Sequence, residues 1–146
     1  MVHFATMKKL PVLFLALALS GCAVHGPYHA AVVVNHDART ITQTFQQVEI
    51  AEFNAGRISV AEHKALEAGT EKVGLAGQSV TAALQQAGPS SDVLAKVNAL
   101  VQAVGDLNTN GVLAVKNPTS KAVLGAAIKG IQDLLVNLQK EAGAPQ

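Results

Sequence analysis

Three of the five histidines lie within residues 25–36, where they could form a metal site. His25, His29 and His36 share one short segment, and Asp37 follows directly. Imidazole nitrogens and carboxylate oxygens are ordinary zinc ligands, so this segment is a candidate metal site. Its spacing is loose, however, and Gly26-Pro27 disfavours a helix there. We therefore expect a flexible tether with incidental histidines over 22–36, with a metal site as the alternative.

Groups suited to catalysis are few in the rest of the chain. His63 stands between Glu62 and Lys64, and we expect it to be solvated. Glu62, Glu67 and Glu71 lie at helical spacing beside Lys64 and Lys72, which is typical of a charged, solvent-facing helix surface rather than of a catalytic carboxylate pair. No serine lies in a recognisable nucleophile motif, and the glycines do not follow the spacing of a phosphate loop. The sequence therefore predicts a protein that is not an enzyme and has no cofactor.

The only cysteine, Cys22, follows the most apolar stretch of the chain. Lys8 and Lys9 precede an apolar run over 10–19, and small residues come after it. A charged start, an apolar run of about ten residues and a small-residue exit are typical of an export signal. A transmembrane helix needs about 20 apolar residues, so this run is too short to span a bilayer. An unpaired cysteine in an oxidising compartment would be a liability unless it is consumed chemically.

Leu19, Ser20, Gly21 and Cys22 together resemble the lipobox of bacterial lipoproteins, and the resemblance covers residues 7–23. It implies that residues 1–21 are a signal peptide that is removed. It also implies that Cys22 carries a diacylglycerol and an acylated amino group. Each buried methylene contributes about 0.8 kcal/mol, so several acyl chains anchor a protein stably. Because Ala23 and not aspartate follows the cysteine, the resemblance implies the outer membrane, facing the periplasm, if the source is Gram-negative.

The composition favours one helical domain. The chain has 146 residues, of which 49% are hydrophobic but only 3% aromatic, with no tryptophan. Small and aliphatic residues of this kind suit the narrow spaces between packed helices. The formal net charge of +1 provides no basic field for nucleic acid, so we expect no nucleic-acid partner.

Helical periodicity begins after the tether, and we expect a helical bundle domain over 37–146. The first helix is predicted over 38–55, with Asp37 as its N-cap and Gly56 at the C′ position that ends it. Its apolar stripe consists of Ile41, Phe45 and Val48, at steps of four and three residues.

The second helix is predicted to start at a capping box, Ser59 to Glu62, and to run to Ala87. Its seam carries small residues, and Gly69, Gly74 and Gly77 either permit close approach of a neighbour or weaken the helix. Asn117-Pro118 predicts an N-cap and first residue for the fourth helix. The predicted seam of the second helix is Leu66, Val73, Val80 and Ala87, interleaved by Thr70, Gly77 and Leu84. The predicted stripes of the last two helices are Val93, Val97, Leu100, Val104 and Leu107; and Leu124, Ile128, Ile131, Leu135 and Leu138.

Short turns between successive helices predict an all-α, antiparallel up-down bundle of about four helices. The alternative is an elongated three-helix bundle, and the fourth helix is a candidate to dock along the second. We interpret the protein as a membrane-anchored cell-envelope lipoprotein that acts as a structural or protein-interaction module with an envelope protein partner. The alternatives are a module that binds a small ligand or a metal, and a membrane-active protein that uses its amphipathic fourth helix.

Overall fold

A computed structural model describes residues 27–87 and 91–142, which form four α-helices. Helix α1 spans Pro27–Asn54, α2 spans Val60–Ala87, α3 spans Ser91–Asp106 and α4 spans Pro118–Ala142. A π-helical turn over Leu107–Gly111 and a 3-10 turn over Val112–Ala114 connect α3 to α4. The predicted all-α bundle of four helices is confirmed. The predicted signal peptide and the lipobox-like residues 19–22 lie outside the described residues.

Helix α1 begins much earlier than predicted. It starts at Pro27, so residues 27–36 of the predicted flexible tether are helical and Asp37 is an interior helix residue, not an N-cap. Proline is compatible with the first turn of a helix, where its missing N–H has no intrahelical partner to lose. The apolar stripe also continues backwards in steps of three and four, through buried Ala38 to half-buried Val34. The tertiary contacts of this stripe therefore extend α1 towards the N-terminus.

The four helices form an antiparallel ring. Helix α1 packs against α2 and α4, and α3 packs against the same two helices. The prediction that α4 docks along α2 is wrong, because α4 lies diagonally across the bundle from α2. Polar contacts confirm the antiparallel order: Asn35 near the start of α1 meets Thr81 near the end of α2, and Asn98 in α3 meets Gln139 in α4.

The predicted stripes supply the core. Every stripe residue predicted for α3 and α4 is buried, as are Leu66, Val73, Val80 and Leu84 of α2. In α1 only Phe45 of the predicted stripe is fully buried, while Ile41 and Val48 are half-buried at its edge. Since the apolar face of α4 lies in the core, the membrane-active alternative would require the bundle to open. None of the described helices is both long and apolar enough to span a membrane.

The glycines of α2 differ in their surroundings. A Cβ at Gly69 would lie 2.7 Å from Leu107 Cδ1, so this position does permit close approach of the turn after α3. A Cβ at Gly74 would meet nothing within 4 Å, and one at Gly77 would reach only Arg39 Cγ at 3.9 Å. Gly74 and Gly77 therefore leave open space between α1 and α2.

Candidate functional site

Polar side chains gather at the end of the bundle where α1 passes into α2. The turn is a Schellman motif: the Arg57 N–H donates to the Glu52 carbonyl at 3.0 Å, and the Gly56 N–H donates to the Phe53 carbonyl at 2.8 Å. Gly56 has a φ of 69°, which confirms its predicted place at C′. This turn brings the side chains of Arg57 and Glu52 together.

Glu52 is a buried carboxylate that joins three elements. It accepts from Arg57 Nε at 2.6 Å and Arg57 Nη2 at 2.7 Å, and buried Ser120 of α4 donates to it at 2.6 Å. Hydrogen bonds from Arg57 first, and from Ser120 second, lower the pKa of Glu52 to about 2. The carboxylate is thus held ionised, and it fixes the start of α4 to the end of α1.

Glu62 stabilises the start of α2 through hydrogen bonds. The predicted capping box is confirmed: Ser59 N–H donates to Glu62 Oε2 at 2.6 Å, and Glu62 N–H donates to Ser59 Oγ at 3.3 Å. The other carboxylate oxygen accepts from Lys116 N–H at 2.8 Å, in the segment before α4. The hydrogen bonds with Ser59, followed by that from Lys116, lower the pKa of Glu62 to about 2.

His63 is half-buried, so the expectation of a solvated side chain is wrong. Its Nδ1 contacts the buried carboxylate of Glu49, and its ring stacks on Phe53 with a centroid distance of 4.0 Å and an interplanar angle of 10°. Glu49 and Phe53 lie one turn apart on α1, and both contact the imidazole of His63 from α2. The polar residues at this end of the bundle are together called the end cluster. Its members are Glu49, Glu52, Arg57, Glu62, His63 and Ser120.

The hydrogen bonds of the end cluster hold the ends of the helices together. Each of its carboxylates accepts a hydrogen bond from a named donor or contacts the imidazole of His63. Glu67, Glu71, Lys64 and Lys72 are exposed, as the solvent-facing interpretation predicts. For Glu62 that interpretation is wrong, because its half-buried carboxylate accepts from the backbone of Ser59 and Lys116.

A second feature is a cavity of about 230 Å³ between α1 and α2, here called the α1–α2 cleft. Its opening lies beside Gly74 and Gly77, whose missing side chains leave the space between the helices unfilled. The cleft reaches the centre of the bundle, since all four helices contribute to its buried apolar floor. The floor residues are Ala38, Val73, Leu100, Ile131 and Leu135.

The mouth of the cleft is polar and carries a positive charge. Arg39 lines it together with Thr42 and the exposed amides of Gln43, Gln46 and Gln78. No carboxylate lines the cleft, and Arg39 forms no ion pair with any described residue. The mouth therefore has one uncompensated cation.

Asn35 supplies an unsatisfied acceptor in the wall of the cleft. It is only 4% exposed, and its Oδ1 has no hydrogen-bond partner among the described residues. The hydroxyl of Thr81 donates to the Gly77 carbonyl at 3.0 Å, so towards Asn35 it can only accept. The contact of 2.9 Å between Thr81 Oγ1 and Asn35 must then use Nδ2–H, which leaves Oδ1 as the unpaired atom.

The structure describes few of the predicted site residues. Five of them lie outside the described residues: Leu19, Ser20, Gly21, Cys22 and His25. His29 lies in the first turn of α1. His36 is exposed, and its Nδ1 lies 3.5 Å from Oδ1 of Asp37, the next residue in the sequence. Within the described ranges no group of three or more histidine, cysteine or acidic residues is placed to hold a metal ion.

Sequence reasoning did not reveal the cleft, because the cleft forms only where α1 packs against α2, and because Asn35 in its wall falls within the predicted tether. The available signal was the apolar stripe: continued backwards from Phe45 in steps of four and three, it passes through Ala38 to Val34. That register also places Asn35 and Thr42 beside the stripe, at the edge of the core.

Comparison of the chain with protein-family models, with characterised proteins and with solved structures finds no match.

Proposed function

We propose that the protein is a lipid-anchored binding module of the bacterial cell envelope. The α1–α2 cleft carries this proposal, because it joins a buried apolar floor to a polar mouth and a buried acceptor without a partner. Concave sites with an apolar lining and a few placed polar groups are the usual form of small-ligand sites. The lipobox of residues 19–22 supports the anchor, with the outer membrane as the site of action in a Gram-negative source.

A soluble chain that begins at Ala23, and so lacks Cys22 but contains the whole described bundle, allows the cleft to be tested without lipid. The probe is 1-hexanol, an uncharged chain small enough for the cavity. We expect it to shift the NMR signals of the Val73, Leu100 and Leu135 methyl groups, which face the cleft floor.

Two matched leucine substitutions separate filling of the cleft from a general effect on the helices. Gly74 lines the cleft and Gly125 does not, and a Cβ at either position meets nothing within 4 Å. We expect Gly74→Leu to abolish the hexanol shifts and Gly125→Leu to retain them. Equal shifts in both variants would contradict binding in the cleft.

Contact with an envelope protein is the second candidate function. Several large apolar side chains remain exposed on the bundle, among them Ile50, Leu75 and Val136. Crosslinking of the membrane-bound protein in cells, followed by mass spectrometry, tests this candidate. A reproducible crosslink from Leu75 or Val136 to one envelope protein is the expected result, and crosslinks to lipid alone would contradict it.

A further inference from the structure

The early start of α1 leaves little chain between the proposed lipid and the bundle. The predicted tether over 22–36 could separate them by roughly 50 Å, whereas the five steps from Cys22 to Pro27 span at most about 18 Å. We propose that the start of α1 contacts the membrane surface, with the exposed side chains of Val32 and Val33 against the lipid. This inference rests on the lipid anchor of the proposed function and specifies which surface of the bundle meets the membrane.

The contact surface is small, apolar and close to the anchor. Val32 is 39% exposed and Val33 is 37% exposed, and they are the only sequence neighbours among the exposed large apolar side chains that the structure describes. Single exposed apolar residues are common on proteins, but an adjacent pair beside a lipid anchor has a partner within reach. At 1.5 Å per residue, Val33 lies only about 9 Å along the helix axis from Pro27. The first turn also contains Tyr28, a residue type that is enriched at membrane interfaces.

The rest of the outward face of α1 limits the contact to this end of the helix. A helix that lies flat on lipid needs an apolar face along its length. Beyond Val33 the exposed positions at steps of three and four are polar: His36, Thr40, Thr44 and Gln47. Only the start of α1 therefore suits the lipid. Glu52 lies about 38 Å further along the axis than Pro27, so the end cluster faces away from the membrane.

A weak contact is sufficient here because the anchor already holds the bundle at the surface. The apolar contribution scales with the area removed from water, so two partly exposed valines would not hold a free protein on a bilayer. The covalent lipid makes the second contact intramolecular, and the short link gives it a high effective concentration. The anchored protein therefore needs no large apolar patch to keep the start of α1 on the lipid.

The test uses the full lipidated protein, purified from membranes and reconstituted in phosphatidylcholine vesicles with a nitroxide on some of the headgroups. Because lipidation consumes the thiol of Cys22, an introduced cysteine is the only free thiol and accepts one fluorophore. Three exposed positions are compared: His36→Cys beside the valines, Gln47→Cys further along the same face, and Thr109→Cys in the turn after α3. We expect quenching by the nitroxide to be several-fold greater at position 36 than at 47 or 109.

Two matched substitutions, each made in the labelled His36→Cys protein, assign the contact to the valines. Val32→Asn/Val33→Asn makes the pair polar at nearly unchanged helix propensity, and Ile50→Asn makes a similar change at another exposed apolar position of α1. We expect the first to remove most of the quenching at position 36 and the second to leave it unchanged. Circular dichroism of both variants checks that the bundle remains folded.

The outcomes separate this contact from the anchor itself. Equal quenching at positions 36 and 47 would mean that α1 lies flat on the lipid, and no quenching at any position would mean that the bundle stands clear of it. Quenching at 36 that survives Val32→Asn/Val33→Asn would mean that the valines do not make the contact. Each of these results, in a chain that carries lipid, overturns the inference and leaves the anchor in place. A chain without lipid on Cys22 overturns both.

Discussion

Glu52 and Arg57 form both a backbone hydrogen bond, which closes a Schellman turn, and a bidentate salt bridge between their side chains. The side-chain contacts are 2.6 and 2.7 Å, and the backbone contact is 3.0 Å. A Schellman motif often places an apolar contact at these two positions. Here a charged pair takes that place, and its carboxylate also receives the hydroxyl of Ser120 from α4. The end of the bundle is therefore fixed by ionised groups.

The first prediction is a loss of stability in acid. In the folded protein the pKa values of Glu52 and Glu62 are lowered to about 2, whereas an unfolded glutamate titrates near 4.5. The unfolded chain therefore binds more protons at low pH. The stability that these carboxylates contribute is fully present above pH 4.5 and declines as the pH falls towards 2. Urea unfolding at pH 7, 4.5, 3 and 2 should show a free energy of unfolding that falls across this window.

The control for this prediction is charge removal at each of two positions. Glu52→Gln should reduce the pH dependence without removing it, because glutamine does not titrate whereas Glu62 still does. Asp133→Asn should leave it unchanged, since Asp133 is exposed and pairs only with exposed Lys129. An equally steep fall in Glu52→Gln and in the natural chain would rule out Glu52 as a source of the acid sensitivity.

The second prediction concerns the pair formed by Glu49 and His63. His63→Phe keeps a ring against Phe53 but leaves the buried carboxylate of Glu49 without its partner. Removal of one member of a buried pair is strongly destabilising, so we expect a loss of about 3 kcal/mol at pH 7. The double variant Glu49→Leu/His63→Phe should recover most of it, because an apolar pair of similar volume replaces both groups.

Urea unfolding of both variants beside the natural chain measures this recovery. A double variant at least as unstable as His63→Phe would show that the contact between Glu49 and His63 does not account for the loss.

The third prediction separates two glycines that lie in helix interiors. Gly69→Ala gains about 1 kcal/mol of helix propensity but forces its Cβ against Leu107, a side chain that is itself fully buried. We expect a net loss of about 1 kcal/mol. Gly125→Ala has open space, so it should gain between about 0.5 and 1 kcal/mol. The two variants should shift the thermal midpoint in opposite directions, and a gain in Gly69→Ala would show that Leu107 yields without strain.

The sequence predicts most of this fold, because its local and long-range signals agree. The apolar stripes, the capping box at Ser59, the C′ glycine at position 56 and the N-cap at Asn117 all lie where they were expected. Asn117 Oδ1 accepts from Thr119 N–H at 3.0 Å and from Ser120 N–H at 3.1 Å, which are the contacts of an N-cap. Such features depend on residues close in sequence, so spacing alone reveals them.

The features that depend on distant residues could not be predicted in the same way. Glu49 and His63 are both polar, and nothing local indicates that they share a buried contact across two helices. The Gly26-Pro27 pair suggested that no helix forms there, whereas Pro27 is the first residue of α1. Tertiary packing of Val34 and Ala38 outweighs the local signal, and the cleft beside Asn35 exists only once α1 and α2 are placed together.

The proposed lipid anchor would determine where the binding module acts, and intact-mass spectrometry of the protein extracted from membranes tests this anchor most directly. We predict a chain that begins at Cys22, with a mass increased by one diacylglycerol and one amide-linked acyl group. Cys22→Ser should remove both the lipid mass and the membrane association. A membrane-derived chain that retains residues 1–21, or one with an unmodified thiol at Cys22, would contradict the anchor.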